Sequence, residues 1–452
     1  MRTGSSTADL VSQARHFAAE SSMVVALLVL VAVLSVVTWD RQSATGAAAG
    51  EALAREVLSQ VSPGSTVAIV ARDTNEERAF TSALATRLED RAIKIAVQVN
   101  GEPPQARAAL EKLVQEGISL EHIAASEAAS GWPAVQRWAE EQRPRAVPIA
   151  YPRPYYWPNF LKTDNLLNIS NQIAVIAIIA IGMTMVIITG GVDLSVGSMI
   201  ALSAVICTLL LRDVAGGAEA SIPAMLGCAS AAIAMCAFFG LAAGLFVTCL
   251  RVPSFIVTLA VMLLADGLAY NLSQGATMDE VPLSFTWLGK GTTIGRIPNS
   301  AVLMLGLYGI AHVVMTRTVF GRHLYAVGGN LKAAWLSGIP VRRVTIAAYA
   351  ICSALAGLGG VLMASQLGAG SPNYGTKHEL LVIAAVVVGG TSLAGGRGTM
   401  AGTLIGALIL AVIANGMNLV GLESKRQQIV LGLVILSAVV LDRIKRPPGE
   451  GA

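Results

Sequence analysis

Apolar runs long enough to cross a bilayer recur through most of the chain, separated by short polar breaks. The first is MVVALLVLVAVLSVV, Met23–Val37, preceded by a polar stretch that carries Arg2 and Arg15. Small residues follow at Ala47, Ala48 and Ala49, as they would after a cleaved signal peptide, but Trp39, Asp40 and Arg41 intervene and spoil the cleavage pattern. The run reads as a retained first transmembrane helix over 23–39, after a cytoplasmic N-terminal segment at 1–22. Further spans are expected near 170–189, 194–211, 222–249, 254–271, 299–316, 345–366, 380–393, 399–418 and 426–442, against a requirement of about 20 residues for a helix crossing the hydrocarbon core. With the first this makes ten. The run at 380–393 is short and ends in glycines, so it reads either as a span or as a broken, re-entrant segment, tolerated at membrane depth only where other helices bury it.

Between the first run and the rest the pattern changes. Residues 40–154 carry charges of both signs and alternate short apolar stretches with amphipathic ones. TVAIVA at Thr66–Ala71 predicts a buried strand, 75–90 a helix, IKIAVQV at 93–99 a second strand and 105–116 a second helix, with a weaker third unit at 118–125 and 135–141. Such alternation predicts a small parallel α/β domain inserted after the first helix. In pattern, through VAIVARDTN and QARAALEKLVQEGI, this stretch resembles the first lobe of periplasmic sugar-binding proteins. A single lobe does not close on a ligand as two hinged lobes do, so the resemblance implies a docking or vestigial role.

Composition puts the chain in the membrane. Of 452 residues 54% are hydrophobic and 13% charged, against about 25% charged in soluble proteins. The net charge of +4 is spread over short loops and forms no nucleic-acid-binding face. Placing both termini in the cytoplasm gives the inside loops about twice the Lys and Arg of the short outside loops, as the positive-inside rule requires. That orientation puts the 40–154 insert outside, the loop at 317–344 inside, and a short tail at 447–452 inside. The aromatic and proline-rich YPRPYYWPNF that leads into the almost continuously apolar part at 155–446 suits a membrane interface. The five cysteines lie in apolar runs without metal-ligand spacing, and free thiols are expected.

Two Gly-interrupted segments share a GGxxL core, Gly190, Gly191, Val192, Asp193, Leu194 and Gly389, Gly390, Thr391, Ser392, Leu393, each closing one apolar run and opening another. Repeats of this kind are a feature of transporter folds. Asp193 is placed to cap the following helix or to meet a solute. Asp266 lies inside a predicted span, where a carboxylate costs about 2.5 to 3.5 kcal/mol to insert; it is expected to face a polar cavity or a partner such as Asn271, and is the first candidate for lining a translocation path. Asn271, Gln274, Gln366, Asn373 and Tyr374 are further polar candidates near the outer face. No P-loop, HExxH, zinc-type cluster or nucleophile elbow occurs, so catalytic and metal sites are expected to be absent, and any ATP chemistry must come from a partner.

The 317–344 loop holds GRHLYAVGGNLKAAWLSGIPVRR, rich in basic residues and free of acids. Residues 330–337 predict a short amphipathic helix with Leu331, Ala334 and Trp335 on one ridge and a Gly-Ile-Pro stop behind it. These residues, with PNFLKTDNLLNI, GMTMVIITGGVDLSVGSMIALS, VPSFIVTLAVMLLADGLAYNLSQG, IAAVVVGGTSLAGGRGTMAGTLIGALIL and NGMNLVGL, make the membrane part similar to the ribose/xylose-type permease subunit of bacterial ABC sugar importers.

The resemblance implies a monosaccharide importer of the bacterial inner membrane, a pentose being favoured, with alternating access driven by separate ATPase subunits that bind ATP and Mg. It implies as partners those ATPases, a second permease copy or homologue, an extracytoplasmic sugar-binding protein and membrane lipid. It also assigns the short helix after the Gly-Asn pair to ATPase coupling, at Gly329, Asn330, Ala333, Ala334, Ser337, Gly338 and Ile339, with Leu331 and Trp335 as its ridge. The insert departs from the family pattern, in which the first helix usually leads straight to the PNF segment. An ion-gradient transporter and a membrane sensor with an external ligand domain are the competing classes.

Overall fold

The computed structural model describes residues 23–142 and 146–444. The expected segments 1–22 and 447–452 lie outside the described residues. The chain divides into two compact units, one formed by the chain up to Thr38 and from Asn159 onward, the other by Trp39–Pro158.

The second unit contains β1 (Trp39–Gln42), α2 (Gly46–Leu58), β2 (Thr66–Ala71), α3 (Asn75–Glu89), β3 (Lys94–Asn100), α4 (Pro103–Gln115), β4 (His122–Ala125), α5 (Glu127–Ser130), α6 (Pro133–Glu141), β5 (Ile149–Ala150) and β6 (Tyr155–Pro158); α1 (Met23–Val37) precedes it in the first unit. Four strands form a sheet in the order β3-β2-β4-β5, with every pairing parallel. A parallel sheet needs both faces covered. Here Leu53, Val57, Phe80, Leu84 and Leu88 of α2 and α3 cover one face, and Leu110, Leu113, Val135 and Trp138 of α4 and α6 cover the other. Helix α3 is started by Thr74, whose hydroxyl accepts from the Glu77 N–H at 3.3 Å. Helix α2 has no counterpart in the sequence reading; its alanine-rich first turns carry little periodic signal. The unit also runs to Pro158 and not to 154, because Tyr155–Pro158 pairs antiparallel with Trp39–Gln42. The exposed Tyr155, Tyr156 and Trp157 therefore belong to a strand of this unit.

The first unit is helical. It continues with α7 (Thr163–Ile188), α8 (Val196–Asp213), α9 (Ile222–Cys249), α10 (Ser254–Ser273), α11 (Trp287–Lys290), a small β7–β8 hairpin (Thr292–Ile294, Ile297–Pro298), α12 (Asn299–Arg317), α13 (Val319–Gly329), α14 (Leu331–Leu336), α15 (Val341–Leu367), α16 (His378–Val388), α17 (Met400–Leu419) and α18 (Ser424–Ile444). Seven of the described helices, α7, α8, α9, α10, α12, α15 and α17, are long and apolar enough to span a membrane. The sequence expectation of ten counts α1, α16 and α18 as well, and α1 and α16 fall short in length. Helix α16 ends at Val388, so 389–393 of the expected span is a turn.

Helices α7 and α15 form the centre of the bundle, and from residue 173 to its end α7 is almost wholly enclosed. Small residues allow the approach, as helix packing in lipid requires: a Cβ on Gly182 would collide with the Cys352 backbone. Two interior pairs join helices, the Tyr308 hydroxyl donating to the Ala177 carbonyl at 3.0 Å and the Thr184 and Thr403 hydroxyls meeting at 2.8 Å. Helices α9 and α10 turn Phe238, Leu241, Phe246, Leu259, Leu263 and Leu264 outward, as lipid-facing surfaces do.

Candidate functional site

The basic loop between α12 and α15 folds as two helices, where the sequence predicts one. The Thr318 hydroxyl starts α13 by accepting from the Gly321 N–H at 3.3 Å, and Asn330 ends it and starts α14. Asn330 is extended, with φ −157°, and its Oδ1 accepts from the Ala333 N–H at 2.9 Å. At the other end the Ser337 hydroxyl donates to the Ala333 carbonyl at 2.9 Å, Gly338 takes φ +79°, and the Ile339 N–H reaches the Ala334 carbonyl at 3.1 Å. Six residues are too few to be helical through propensity alone. These caps hold α14 in shape.

The helix turns its apolar side chains outward. Leu331, Trp335 and Leu336 are 59%, 68% and 76% exposed, and Gly329, Ala333, Ser337 and Gly338 are also on the surface. Ala334, expected on the exposed ridge, is instead 4% exposed and packs into the bundle core, with Ile339 against that same core. Leu336 takes the outward place, a residue that the i, i+3, i+4 count passes over. A cleft of about 620 Å³ opens beside this ridge, lined by Leu331, Lys332, Trp335, Arg251, Arg342 and the Gly190–Gly191 turn.

Helix α13 ties the ridge to the bundle. Gly328 lies so close to the end of α7 that a Cβ there would collide with the Ile188 carbonyl oxygen. The same carbonyl accepts from the Gly396 N–H at 2.9 Å, and the Tyr325 hydroxyl donates to the Gly398 carbonyl at 2.8 Å. The ends of α7, α13 and the 389–398 turn therefore meet at one place.

The two Gly-Gly turns have the same hydrogen-bond pattern. After α7, the N–H groups of Thr189, Gly190 and Gly191 donate to the carbonyls of Met185, Ile187 and Val186; after α16, those of Gly389, Gly390 and Thr391 donate to Ala385, Val387 and Val386. The left-handed residues are Gly190 at φ +83° and Gly390 at φ +81°. In backbone terms Gly190 therefore matches Gly390, one residue from the letter-by-letter match with Gly389. The register is recovered just beyond, where the Ser195 N–H donates to Asp193 Oδ1 at 2.9 Å and the Ala394 N–H to the Ser392 hydroxyl at 3.3 Å.

Asp193 is fully buried, and its Oδ1 also accepts from the Ser195 hydroxyl at 2.6 Å, with Cys352 and Ser353 of α15 beside the carboxylate. Ser195, and not Asp193, occupies the cap position of α8; the carboxylate orients it. Asp266 and Asn271 are exposed on the outward side of α10, apart from the two turns. Among the described residues no cluster of His, Cys, Asp or Glu is arranged to hold a metal ion.

Residues 165–439 match the family described as the permease component of the branched-chain amino acid transport system. The chain belongs to this family. Its relatives include the ribose import permease protein RbsC of Escherichia coli strain K12, 42% identical over 293 residues, which cover 64% of this chain and 88% of that protein. RbsC of Bacillus subtilis strain 168 is also 42% identical, over 290 residues covering 64% and 87%. The probable ABC transporter permease protein YphD of Escherichia coli strain K12 is 38% identical over 287 residues, covering 63% and 83%. No solved structure matches the chain. The family region contains both Gly-Gly turns, α13 and α14, and the Trp39–Pro158 unit lies outside it.

Proposed function

We propose that the chain is the membrane subunit of an ATP-binding cassette importer for a monosaccharide, with a pentose such as ribose or xylose favoured. The observation that carries this reading is the 42% identity to ribose import permeases over nearly their whole length. The capped, outward-facing ridge of α14 supports it from the structure.

In this reading ten helices cross the bacterial inner membrane with both termini in the cytoplasm, the two Gly-Gly turns mark an internal repeat, and the 40–154 insert is extracytoplasmic. Separate ATPase subunits with bound ATP and Mg grip α14 through Leu331, Trp335 and Leu336, and Asn330, Ser337 and Gly338 keep it rigid enough to transmit force. Because Gly328 abuts Ile188, displacement of α14 reaches the Gly190 turn directly, and the bundle tilts between inward and outward states. A second permease copy completes the path, and a sugar-binding protein delivers the solute.

Reconstitution with the ATPase subunit of the transporter, followed by uptake of radiolabelled ribose and xylose, tests the reading. Uptake that requires ATP and is abolished by Trp335→Glu, with the membrane subunit still folded and inserted, supports it. Uptake that follows a proton gradient and survives Trp335→Glu refutes it.

A further inference from the structure

The stretch SPNYGTKHE at 371–379, which links α15 to the first turn of α16, reads in the sequence as an outer loop, but the structure carries it deep into the bundle. A Cβ on Gly370 would collide with the Thr208 hydroxyl near one end of α8, whereas Gly375 collides in the same way with the Gly197 carbonyl, and the Glu379 carboxylate rests on Gly197 itself. Non-helical chain thus descends along α8 from Thr208 to its first turn. The far end of α8 carries the exposed ion pair Arg212–Asp213 at 2.6 Å, which marks water. Gly197 lies about 22 Å of helix below it at 1.5 Å per residue, against a hydrocarbon core of about 30 Å. From the opposite end, Asp193 lies beside Cys352 and Ser353 of α15, already about 15 Å of helix from Arg342. Glu379 is therefore near mid-membrane.

Along this descent Asn373, Thr376 and Lys377 are exposed, and His378 and Glu379, at its lower end, are half-buried. Lys377 adopts φ +65°, a conformation that turns the chain into α16. Among the described residues neither Lys377 nor Glu379 has an ion-pair partner. Lipid does not tolerate irregular backbone or unpaired charge at this level; protein or a water-filled cavity does.

Resting on the reading as a monosaccharide permease, we infer that the Asn373–Glu379 edge lines the aqueous path at mid-membrane and that Asn373, Lys377 and Glu379 hydrogen-bond the hydroxyl groups of the passing sugar. The ligand class is a small neutral polyol, for which an amide, an ammonium and a carboxylate supply both donors and acceptors.

The test uses the full transporter in proteoliposomes, in a Cys249→Ser background that removes the exposed native thiol. Lys377→Cys is labelled with a membrane-impermeant methanethiosulfonate cation and compared with Leu263→Cys on the outward face of α10. Lys377→Cys is expected to react at least about tenfold faster, because only a hydrated thiol ionises, and to be protected by ribose. In parallel, Glu379→Gln is expected to raise the KM for ribose uptake by about tenfold, as a charge-assisted hydrogen bond is replaced by a neutral one. Labelling no faster than at Leu263→Cys overturns the aqueous edge. Unchanged KM together with labelling indifferent to ribose overturns the sugar contact, provided the unaltered transporter imports ribose. Failure of the unaltered transporter to import any monosaccharide refutes the functional reading instead, and rapid labelling of Lys377→Cys would then still place the edge in water.

Discussion

Gly328 has no side chain because the space a Cβ would fill is held by the Ile188 carbonyl. Gly328→Val is expected to destabilise the helical unit by about 1 to 3 kcal/mol, the usual cost of overpacking, seen as a lower melting temperature in detergent. Coupling of ATP hydrolysis to uptake is expected to fall further than stability does. Asn330 acts differently, through one hydrogen bond to the Ala333 N–H. Removing a cap of this kind costs about 1 kcal/mol, so Asn330→Ala is expected to weaken ATPase binding roughly fivefold, and Asn330→Asp, which keeps the acceptor, to leave it close to unchanged. A pull-down titration with the purified ATPase separates the two variants. Leu336 belongs on the same surface, and Leu336→Asp is expected to weaken binding as much as Leu331→Asp.

Among the elements, α14 and the turns beside it show what the sequence could and could not reveal. The helix, its Asn330 start and its Gly-Ile-Pro stop were legible because caps and breakers are local signals. Burial of Ala334 was not, since a six-residue helix has too few turns for periodicity to decide which face meets the bundle. Helix α13 was hidden by its glycines, which lower helix propensity and here serve close contact with α7. The two Gly-Gly motifs were visible as letters, yet the left-handed position, Gly190 against Gly390, is set by where each preceding helix ends. Charge patterning was equally blind to the depth of Lys377 and Glu379, because the contacts that pull them inward, Gly370 on α8 and Gly375 on Gly197, join residues far apart in the chain.

For the whole molecule, the two units raise separate questions. The Trp39–Pro158 unit covers both faces of its sheet with its own helices, so when expressed alone it is expected to unfold cooperatively in urea, with Leu110→Ala lowering its stability by about 3 kcal/mol. Non-cooperative unfolding would show that it depends on the rest of the chain. The family match covers the helical unit alone. The account stands or falls on whether force enters through α14. Trp335 is the largest exposed side chain of that helix, and a buried aromatic anchor at an interface is worth about 2 kcal/mol or more. The decisive measurement is ATP-driven ribose uptake by the reconstituted transporter carrying Trp335→Glu, with subunit co-purification measured on the same sample. The account predicts uptake lost and ATPase association weakened by at least about thirtyfold; uptake and association at the level of the unaltered protein would contradict it.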